Sequence, residues 1–416
     1  MKSRGALRGM FAGAVALALA TVPAVSATAD TTDGNWWFDY YNVGQAHAAG
    51  WTGKGVKITV IDEQINPDLP VFSGANLKVD PTAYCGGSPT SAKADEGSVH
   101  GTTITALLIG NGTGGGAVRG IAPDASVTFE GYGSSTCGAS AKNASSVGRA
   151  LQAAIDSGSD IITTSVGFDL MSEPDMAILA DAASKGIIVL ASVPNRNDEI
   201  TGLPSRANGV VAVNAVDQDG KIQAYDGVVT INPEVTVVAA GVGIATVGDE
   251  QSASWDDSYR AQGSSEATPL VAGMLAAAKQ KYPQATGNQL IQSLIHNTTP
   301  DDHGLIRDTT AGYGYGPASL THLLAVDPTT YPDTNPLVDK SYGKPTSEQI
   351  AGASTSSPEP SNASGSGASG GGGSDAAPVG LFIGIGIAVV VVLAIVAVLI
   401  VVLSRRRAPR GNGGNA

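Results

Sequence analysis

Short apolar runs rich in β-branched residues recur through the middle of the chain, and longer segments with helical spacing of apolar residues separate them. The runs that predict strands are 54–62, 126–129, 160–166, 186–191, 209–216 and 235–239. The segments that predict helices are 101–109, 144–157, 175–185 and 265–281. Strands that are apolar on both faces and alternate with helices are typical of a parallel sheet covered on both sides. The pattern therefore predicts a three-layer α/β domain with a mostly parallel sheet.

A different kind of apolar run lies near the start of the chain. It follows Lys2, Arg4 and Arg8 and leads into small residues that end at Ala29. Basic residues, an apolar core and a small-residue cleavage site together are the pattern of a secretory signal peptide. We therefore expect residues 1–29 to be removed and the rest of the chain to be exported.

A second long apolar run, residues 378–403, consists almost entirely of Val, Ile, Leu, Ala and Gly. It is long enough for a helix that crosses a bilayer. Four arginines lie in the tail that follows, residues 404–416, and they indicate a cytoplasmic C-terminus. No Leu-Pro-x-Thr-Gly sorting signal precedes the run, so we expect the helix to be retained. The sequence thus predicts a single-pass cell-membrane protein with an extracellular folded domain.

The exported part divides by composition into an arm, residues 30–50, a folded domain, residues 51–344, and a linker, residues 345–377. The linker is made mostly of Ser, Gly, Pro and Ala, which cannot bury enough surface to fold, so it is expected to be flexible. The arm contains an aromatic stretch at residues 36–41. We interpret its rings as packed on the domain surface rather than as a ligand site.

Charge and cysteine content narrow the choice of function. The formal net charge is −13 at pH 7, and basic residues concentrate at the two ends, so nucleic-acid binding is disfavoured. Cys85 and Cys137 are exported to an oxidising compartment, and we expect them to form a disulfide that stabilises the fold by about 4 kcal/mol. Acidic pairs such as Asp256 and Asp257 leave a structural calcium ion open, but no stretch has a recognisable metal-ligand spacing.

Three polar residues lie at the ends of predicted elements. Asp62 ends the first strong strand, His100 opens a helix after a loop, and Ser265 opens a helix far downstream. Each has a structural alternative, because Asp62 can cap a turn, His100 can be an ordinary histidine and Ser265 can be a helix cap. Their order along the chain, Asp then His then Ser, is nevertheless one of the orders in which serine-protease triads occur. The order favours a shared catalytic site.

The local sequences around these residues resemble the subtilase family of serine proteases. The resemblance extends over about residues 50–326 and implies a subtilisin-like fold. The segments that carry it are Ile61-Asp62, His100-Gly101-Thr102, Val118 to Ala125, Thr164-Ser165-Val166-Gly167, Ala191 to Asn195, Gly263 to Pro269 and Gly312 to Gly316.

The resemblance implies peptide-bond hydrolysis with no required cofactor and no metal at the reacting centre. Ser265 would be the nucleophile, His100 the general base and Asp62 the residue that orients the imidazole. Asn195 would hold the oxyanion. A polypeptide substrate would bind as an added strand along Thr164, Ser165, Val166 and Gly167.

Three departures from the family pattern leave an alternative function open, although the retained Asp62, His100, Ser265 and Asn195 favour the enzyme. Glu63 and Gln64 follow Asp62 where the family has Thr or Ser and then Gly, and Pro194 replaces a glycine beside Asn195. Glu266 replaces the apolar residue that usually follows the serine. An acid can raise the pKa of the histidine, and a proline can displace the oxyanion residue. The alternative is a catalytically silent scaffold or peptide-binding component of a membrane complex.

The order of segments carries a second resemblance. A signal peptide, a short arm, a subtilase domain, a flexible linker, one helix and a basic tail are together similar to the mycosins, the membrane-anchored subtilases of type VII secretion. The arm is too short for the inhibitory prodomain that many subtilases carry. The resemblance implies association with secretion-system components of the membrane.

Overall fold

The computed structural model describes residues 34–132, 143–167, 172–197, 202–300 and 303–352. The predicted signal peptide, transmembrane helix and cytoplasmic tail lie outside these residues. None of the helices within them is long and apolar enough to cross a membrane.

Eleven strands and nine α-helices form the described part of the chain. The strands are β1 (Lys57–Asp62), β2 (Asn76–Val79), β3 (Ser126–Gly131), β4 (Ile161–Thr164), β5 (Ile188–Ser192), β6 (Val210–Val216), β7 (Ala224–Tyr225), β8 (Val228–Val229), β9 (Val237–Ala240), β10 (Val242–Ala245) and β11 (Arg260–Gln262). The helices are α1 (Trp36–Tyr40), α2 (Val43–Ala48), α3 (Glu96–Ile109), α4 (Ser146–Asp156), α5 (Glu173–Ser184), α6 (Ser264–Lys281), α7 (Gly287–His296), α8 (Leu320–Ala325) and α9 (Ser347–Ile350).

Seven strands form the central sheet in the order β2-β3-β1-β4-β5-β6-β9, and every neighbouring pair is parallel. The predicted α/β class with a mostly parallel sheet is confirmed. Six of these strands correspond to the predicted apolar runs. The edge strand β2 was not predicted, because every second residue is exposed and its sequence is not continuously apolar.

The strand order places three functional segments side by side. β4 lies between β1 and β5, and all three strands run in the same direction. Their carboxyl ends, at Asp62, Thr164 and Ser192, therefore meet at one edge of the sheet. Loops at this edge are where the chemistry of open parallel sheets is usually located.

Helix α6 runs through the interior of the domain. Its residues from Ser264 to Ala278 are all buried, which is typical of a helix that is apolar on every side. Gly273 lies in its middle, against Ile121, and a Cβ added there would lie 1.8 Å from Cγ2 of Ile121. The glycine thus lets the chain segment before β3 approach the helix axis.

The N-terminal arm is part of the core, which corrects the interpretation of its rings as surface packing. Trp37 is fully buried, and Trp36 and Tyr41 belong to the main apolar cluster. The Tyr41 hydroxyl accepts a hydrogen bond of 2.7 Å from the N–H of Ala240, at the end of β9. Composition alone does not distinguish a ring on the surface from one in the interior.

The fold also continues past residue 344, into residues that were predicted to start the linker. Ile350 of α9 is buried, and the side chain of Asn208 donates a hydrogen bond of 3.0 Å to the carbonyl of Pro345. One apolar residue among polar ones is a weak signal in a sequence, yet it is enough to dock a single helical turn.

We expect Gly273→Ala to destabilise the domain by about 1–3 kcal/mol, because the added methyl group would overlap Ile121 in a packed interior. Helix propensity alone predicts the opposite, since Ala is favoured over Gly by about 1 kcal/mol. Urea unfolding monitored by circular dichroism would measure the change. Gly304→Ala is the control, because no heavy atom of the described residues, its chain neighbours apart, lies within 4 Å of its Cβ position. Equal stability of both variants would contradict the packing argument.

Candidate active site

Asp62 and His100 form a hydrogen-bonded pair at the carboxyl edge of the sheet. Asp62 is fully buried at the end of β1, and its Oδ1 atom lies 2.8 Å from Nδ1 of His100. The same oxygen accepts a hydrogen bond of 2.7 Å from the N–H of Glu63. Asp62 therefore both caps its turn and orients the imidazole.

His100 does not open its helix as predicted but lies one turn inside it. Helix α3 begins at Glu96, where Asp95 and Ser98 form a capping box. The prediction started the helix too late because Glu96, Gly97 and Ser98 lack an apolar pattern. The shift gives His100 a helical backbone, which fixes the direction of its ring.

Opposing effects act on the pKa of His100. Burial lowers it, but the charge and hydrogen bond of Asp62 raise it, and the charges of Glu266 and Glu63 raise it further, to about 9. The side chain is still 28% exposed. His100 is therefore a stronger base than an ordinary histidine, and it is protonated over a wider range of pH.

Ser265 is the second residue of α6 and is almost buried, with 9% exposed. It is not the cap of the helix, because that position belongs to Gly263. The Ser265 hydroxyl donates a hydrogen bond of 3.0 Å to the carbonyl of Ser165. Among the described residues this is its hydrogen-bond partner, and no hydrogen bond joins it to His100.

A second hydrogen bond runs in the opposite direction, from the Ser165 hydroxyl to the carbonyl of Ser265, at 2.8 Å. Pro269 explains why this carbonyl is available. In an α-helix the carbonyl of Ser265 would accept from the N–H of residue 269, and proline has none. The proline was predicted in the first turn, but it lies further inside the helix, where Ser165 replaces the missing donor.

The predicted substrate-binding segment divides into two parts. Thr164 belongs to the β4 ladder and is fully buried, and Ser165 is hydrogen-bonded to Ser265. Val166 is half-buried and Gly167 is exposed, and both lie beyond the last ladder pair of β4. These last two residues provide the accessible backbone of the segment.

Asn195 follows β5 and lies against the start of α6. Its Oδ1 atom accepts a hydrogen bond of 2.9 Å from the N–H of Ser264 and another of 3.1 Å from Nε2 of Gln223. The Ser264 hydroxyl also lies 2.9 Å from this atom and donates to the carbonyl of Val193. Pro194 thus does not separate Asn195 from the helix that carries Ser265. The sequence analysis missed Gln223, because it lies between β6 and β7 in a segment without a motif.

The two acidic residues that depart from the family pattern, Glu63 and Glu266, both raise the pKa of His100. The Oε1 atom of Glu63 accepts a hydrogen bond of 3.1 Å from the Tyr132 hydroxyl, and burial followed by the charge of Asp62 raises its pKa. Glu266 is 7% exposed, and burial raises its pKa to about 7. Its Oε2 atom is buried and has no hydrogen-bond partner in the part of the chain that the structure describes. Gln64 instead donates to the carbonyl of Ser88 and turns away from the pair.

The predicted disulfide and the open question of a calcium ion involve residues on both sides of the described boundaries. Cys85 lies within the described residues and Cys137 lies outside them, so their pairing stays a prediction. Within the described ranges, no group of three or more His, Cys, Asp or Glu side chains could hold a metal ion.

Known proteins are similar to this chain in sequence or in fold. The thermostable alkaline protease of Halalkalibacterium halodurans is 28% identical over 272 residues, which cover 64% of this chain and 68% of that protein. Fervidolysin from Fervidobacterium pennivorans, a keratinolytic enzyme related to subtilisin, has a similar fold, with a TM-score of 0.59 and 21% identity over 74% of this chain and 48% of its own.

A peptide complex of the PatG macrocyclase also has this fold, with a TM-score of 0.55 and 17% identity over 68% of this chain and 95% of that one. The subtilase family itself matches residues 53–316, which include all the strands of the central sheet and the site at their carboxyl edge. The chain therefore belongs to the subtilase family and is a serine endopeptidase.

Proposed function

We propose that this protein is an exported, membrane-anchored endopeptidase whose catalytic triad consists of Asp62, His100 and Ser265. The observation that carries the proposal is the hydrogen bond of 2.8 Å between the buried Asp62 and Nδ1 of His100. Ser265 is bonded to Ser165, directly after β4, and β4 is the neighbour of the strand that ends at Asp62. The nucleophile and the pair therefore belong to the same edge of the sheet.

In this mechanism Ser265 attacks the carbonyl carbon of a peptide bond while His100 takes its proton on Nε2. Asp62 holds the proton of Nδ1 and so fixes the tautomer in which Nε2 can act as a base. The hydroxyl must first turn from the Ser165 carbonyl towards His100. His100 then passes the proton to the leaving amine, and a water molecule repeats the sequence on the acyl-enzyme.

The oxyanion that forms in each step needs fixed hydrogen-bond donors. The N–H of Ser265 is one of the first amides of α6 and has no partner within the helix, so it is suited to a developing negative charge. The side-chain amide of Asn195 is the second donor. One such donor stabilises the transition state by about 3 kcal/mol. The substrate would extend along Val166 and Gly167 as an added strand.

Residues 378–403 are proposed as the membrane anchor, with the linker as a tether and residues 404–416 in the cytoplasm. Export and a retained helix would place the active site outside the cell, close to the membrane. The similarity to mycosins supports association with a type VII secretion apparatus. The polypeptide substrate would then be a protein that passes through, or belongs to, that apparatus.

The silent-scaffold alternative also has support. The Ser265 hydroxyl is bonded to Ser165 rather than to His100. In addition, an acidic residue, Glu266, is buried directly after Ser265. A site of this kind could bind peptides without cutting them. Reaction with a mechanism-based probe separates the two functions.

We expect a fluorophosphonate to label the purified extracellular domain at Ser265, because only a serine activated by a base attacks this probe readily. Ser265→Ala should abolish labelling, and His100→Ala should reduce its rate by more than about a thousandfold. Gel fluorescence and mass spectrometry of the labelled peptide would measure both. Thr299→Ala, a substitution at an exposed residue outside the triad, is a control that should label like the wild type.

A folded wild-type domain that does not react with the probe would refute the proposed activity. If a strain carrying Ser265→Ala still exported type VII substrates normally, the chain would serve the apparatus as a scaffold.

The pH dependence of kcat/KM should follow the deprotonation of His100. Only the neutral imidazole accepts the serine proton, so activity is lost below the pKa of His100, near 9, by about tenfold per pH unit. Glu266→Gln removes a negative charge that raises this pKa, so the rising limb of the profile should move to lower pH. Glu173→Gln, an exposed acid paired with Lys344, is the control. A profile that does not move in Glu266→Gln would show that Glu266 does not act on His100.

The anchor can be tested on membranes of cells that produce the full chain. We expect the full-length protein to stay in the pellet after carbonate extraction, because a spanning helix resists alkaline release. A chain that ends at Gly352 should appear in the soluble exported fraction. Release of the full-length protein by carbonate would contradict the transmembrane helix.

A further inference from the structure

Gln223 lies behind Asn195 in a chain of buried side-chain amides. It is only 2% exposed, in the segment between β6 and β7. Its Nε2 atom donates hydrogen bonds to Oδ1 of Asn195, at 3.1 Å, and to Oδ1 of Asn214, at 2.9 Å. Both hydrogens of the Gln223 amide are thus used inside the protein.

The other end of this chain is fixed to the central sheet. Asn214 is fully buried in β6, where its Oδ1 also accepts from the N–H of Ala215, at 2.8 Å, and its Nδ2 donates to the carbonyl of Thr230, at 3.2 Å. The backbone of Gln223 is paired too, since its N–H donates to the carbonyl of Ala215 at 3.0 Å. Gln223 therefore connects β6 of the central sheet to Asn195, in the loop after β5, through hydrogen bonds.

Hydrogen bonding decides which way each amide faces. If the Gln223 amide were reversed, its oxygen would face two carbonyl oxygens, which is repulsive. If Asn195 were reversed, the N–H of Ser264 and the amide of Gln223 would lose their acceptor and would face an NH₂ group instead. Buried polar groups left without partners cost about 1–3 kcal/mol each, so both reversals are strongly disfavoured. The NH₂ group of Asn195 is consequently held on the side away from Gln223 and Ser264.

We infer that Gln223 is a positioning residue for the oxyanion donor of this enzyme. The inference rests on the proposed function, in which Asn195 supplies that donor. Gln223 contacts Asn195 rather than the substrate, and it sets the rotation of the amide plane. Ser264 bonds the same oxygen from the helix side, so the amide is held from two directions. A fixed amide favours catalysis because a donor that is already in place needs no reorganisation when the negative charge develops.

Gln223→Met tests the inference, because methionine has a similar length and no amide. We expect kcat to fall by about ten- to a hundredfold, with KM within about twofold of the wild type, since an oxyanion donor acts on the transition state and not on the bound substrate. A peptide p-nitroanilide that the wild type cleaves would supply both constants. Gln292→Met is the matched control. Gln292 is also buried and bonded through Nε2, but to the carbonyl of Thr334 and not to a residue of the site.

A double mutant distinguishes positioning from general damage. Asn195→Ala should lower kcat by about 100-fold or more, and Gln223→Met should add little in that background, because the group it positions is gone. Multiplication of the two losses would overturn the inference, and so would an unchanged kcat in a folded Gln223→Met. If Gln223→Met does not fold, Asn214→Ala replaces it, with a smaller loss of kcat at unchanged KM expected. A wild type as inactive as Ser265→Ala would instead refute the proposed function, and this inference with it.

Discussion

The two hydrogen bonds between Ser165 and Ser265 fix the relation between the central sheet and helix α6. They join the end of β4 to the first turn of the helix in both directions. The bond from the Ser165 hydroxyl to the carbonyl of Ser265 exists because Pro269 leaves that carbonyl without its helical donor. A residue that usually weakens a helix here creates the acceptor that ties the helix to the strand. The position of the nucleophile is thus determined by a defect in the helix that carries it.

The first turn of α6 brings an acidic side chain into the interior of the domain. Glu266 follows Ser265 and is carried into the protein, where burial raises its pKa to about 7. Together with Asp62 and Glu63 it surrounds one imidazole with acids, and their combined effect exceeds the lowering caused by burial of His100. Among the described residues Oε2 of Glu266 has no hydrogen-bond partner, and burying a carboxylate oxygen in this way costs stability. Functional sites are where charge groupings of this kind concentrate.

The sequence was sufficient to predict the parallel sheet, since β1, β4, β5, β6 and β9 are apolar on both faces and need no long-range information. It also located Asp62, His100, Asn195 and Ser265, because short motifs surround them. It did not predict the edge strand β2, whose exposure alternates, or the depth of Trp37, which depends on packing from distant segments. Gln223 had no local signal at all, because its role comes from two asparagines that only the fold brings to it.

Contacts with distant segments also determine the effect of Pro194, which replaces the glycine of the family pattern beside Asn195. A proline beside Asn195 restricts the loop, and from the sequence alone it can displace the amide. In the structure the loop is held on both sides of the proline, since the carbonyl of Val193 accepts from the Ser264 hydroxyl and the carbonyl of Asn195 accepts from Thr230. With its flanking carbonyls fixed, a stiff residue reduces the freedom that the loop would lose on ordering. Rigidity at this position therefore supports the amide network that holds Asn195, and does not oppose it.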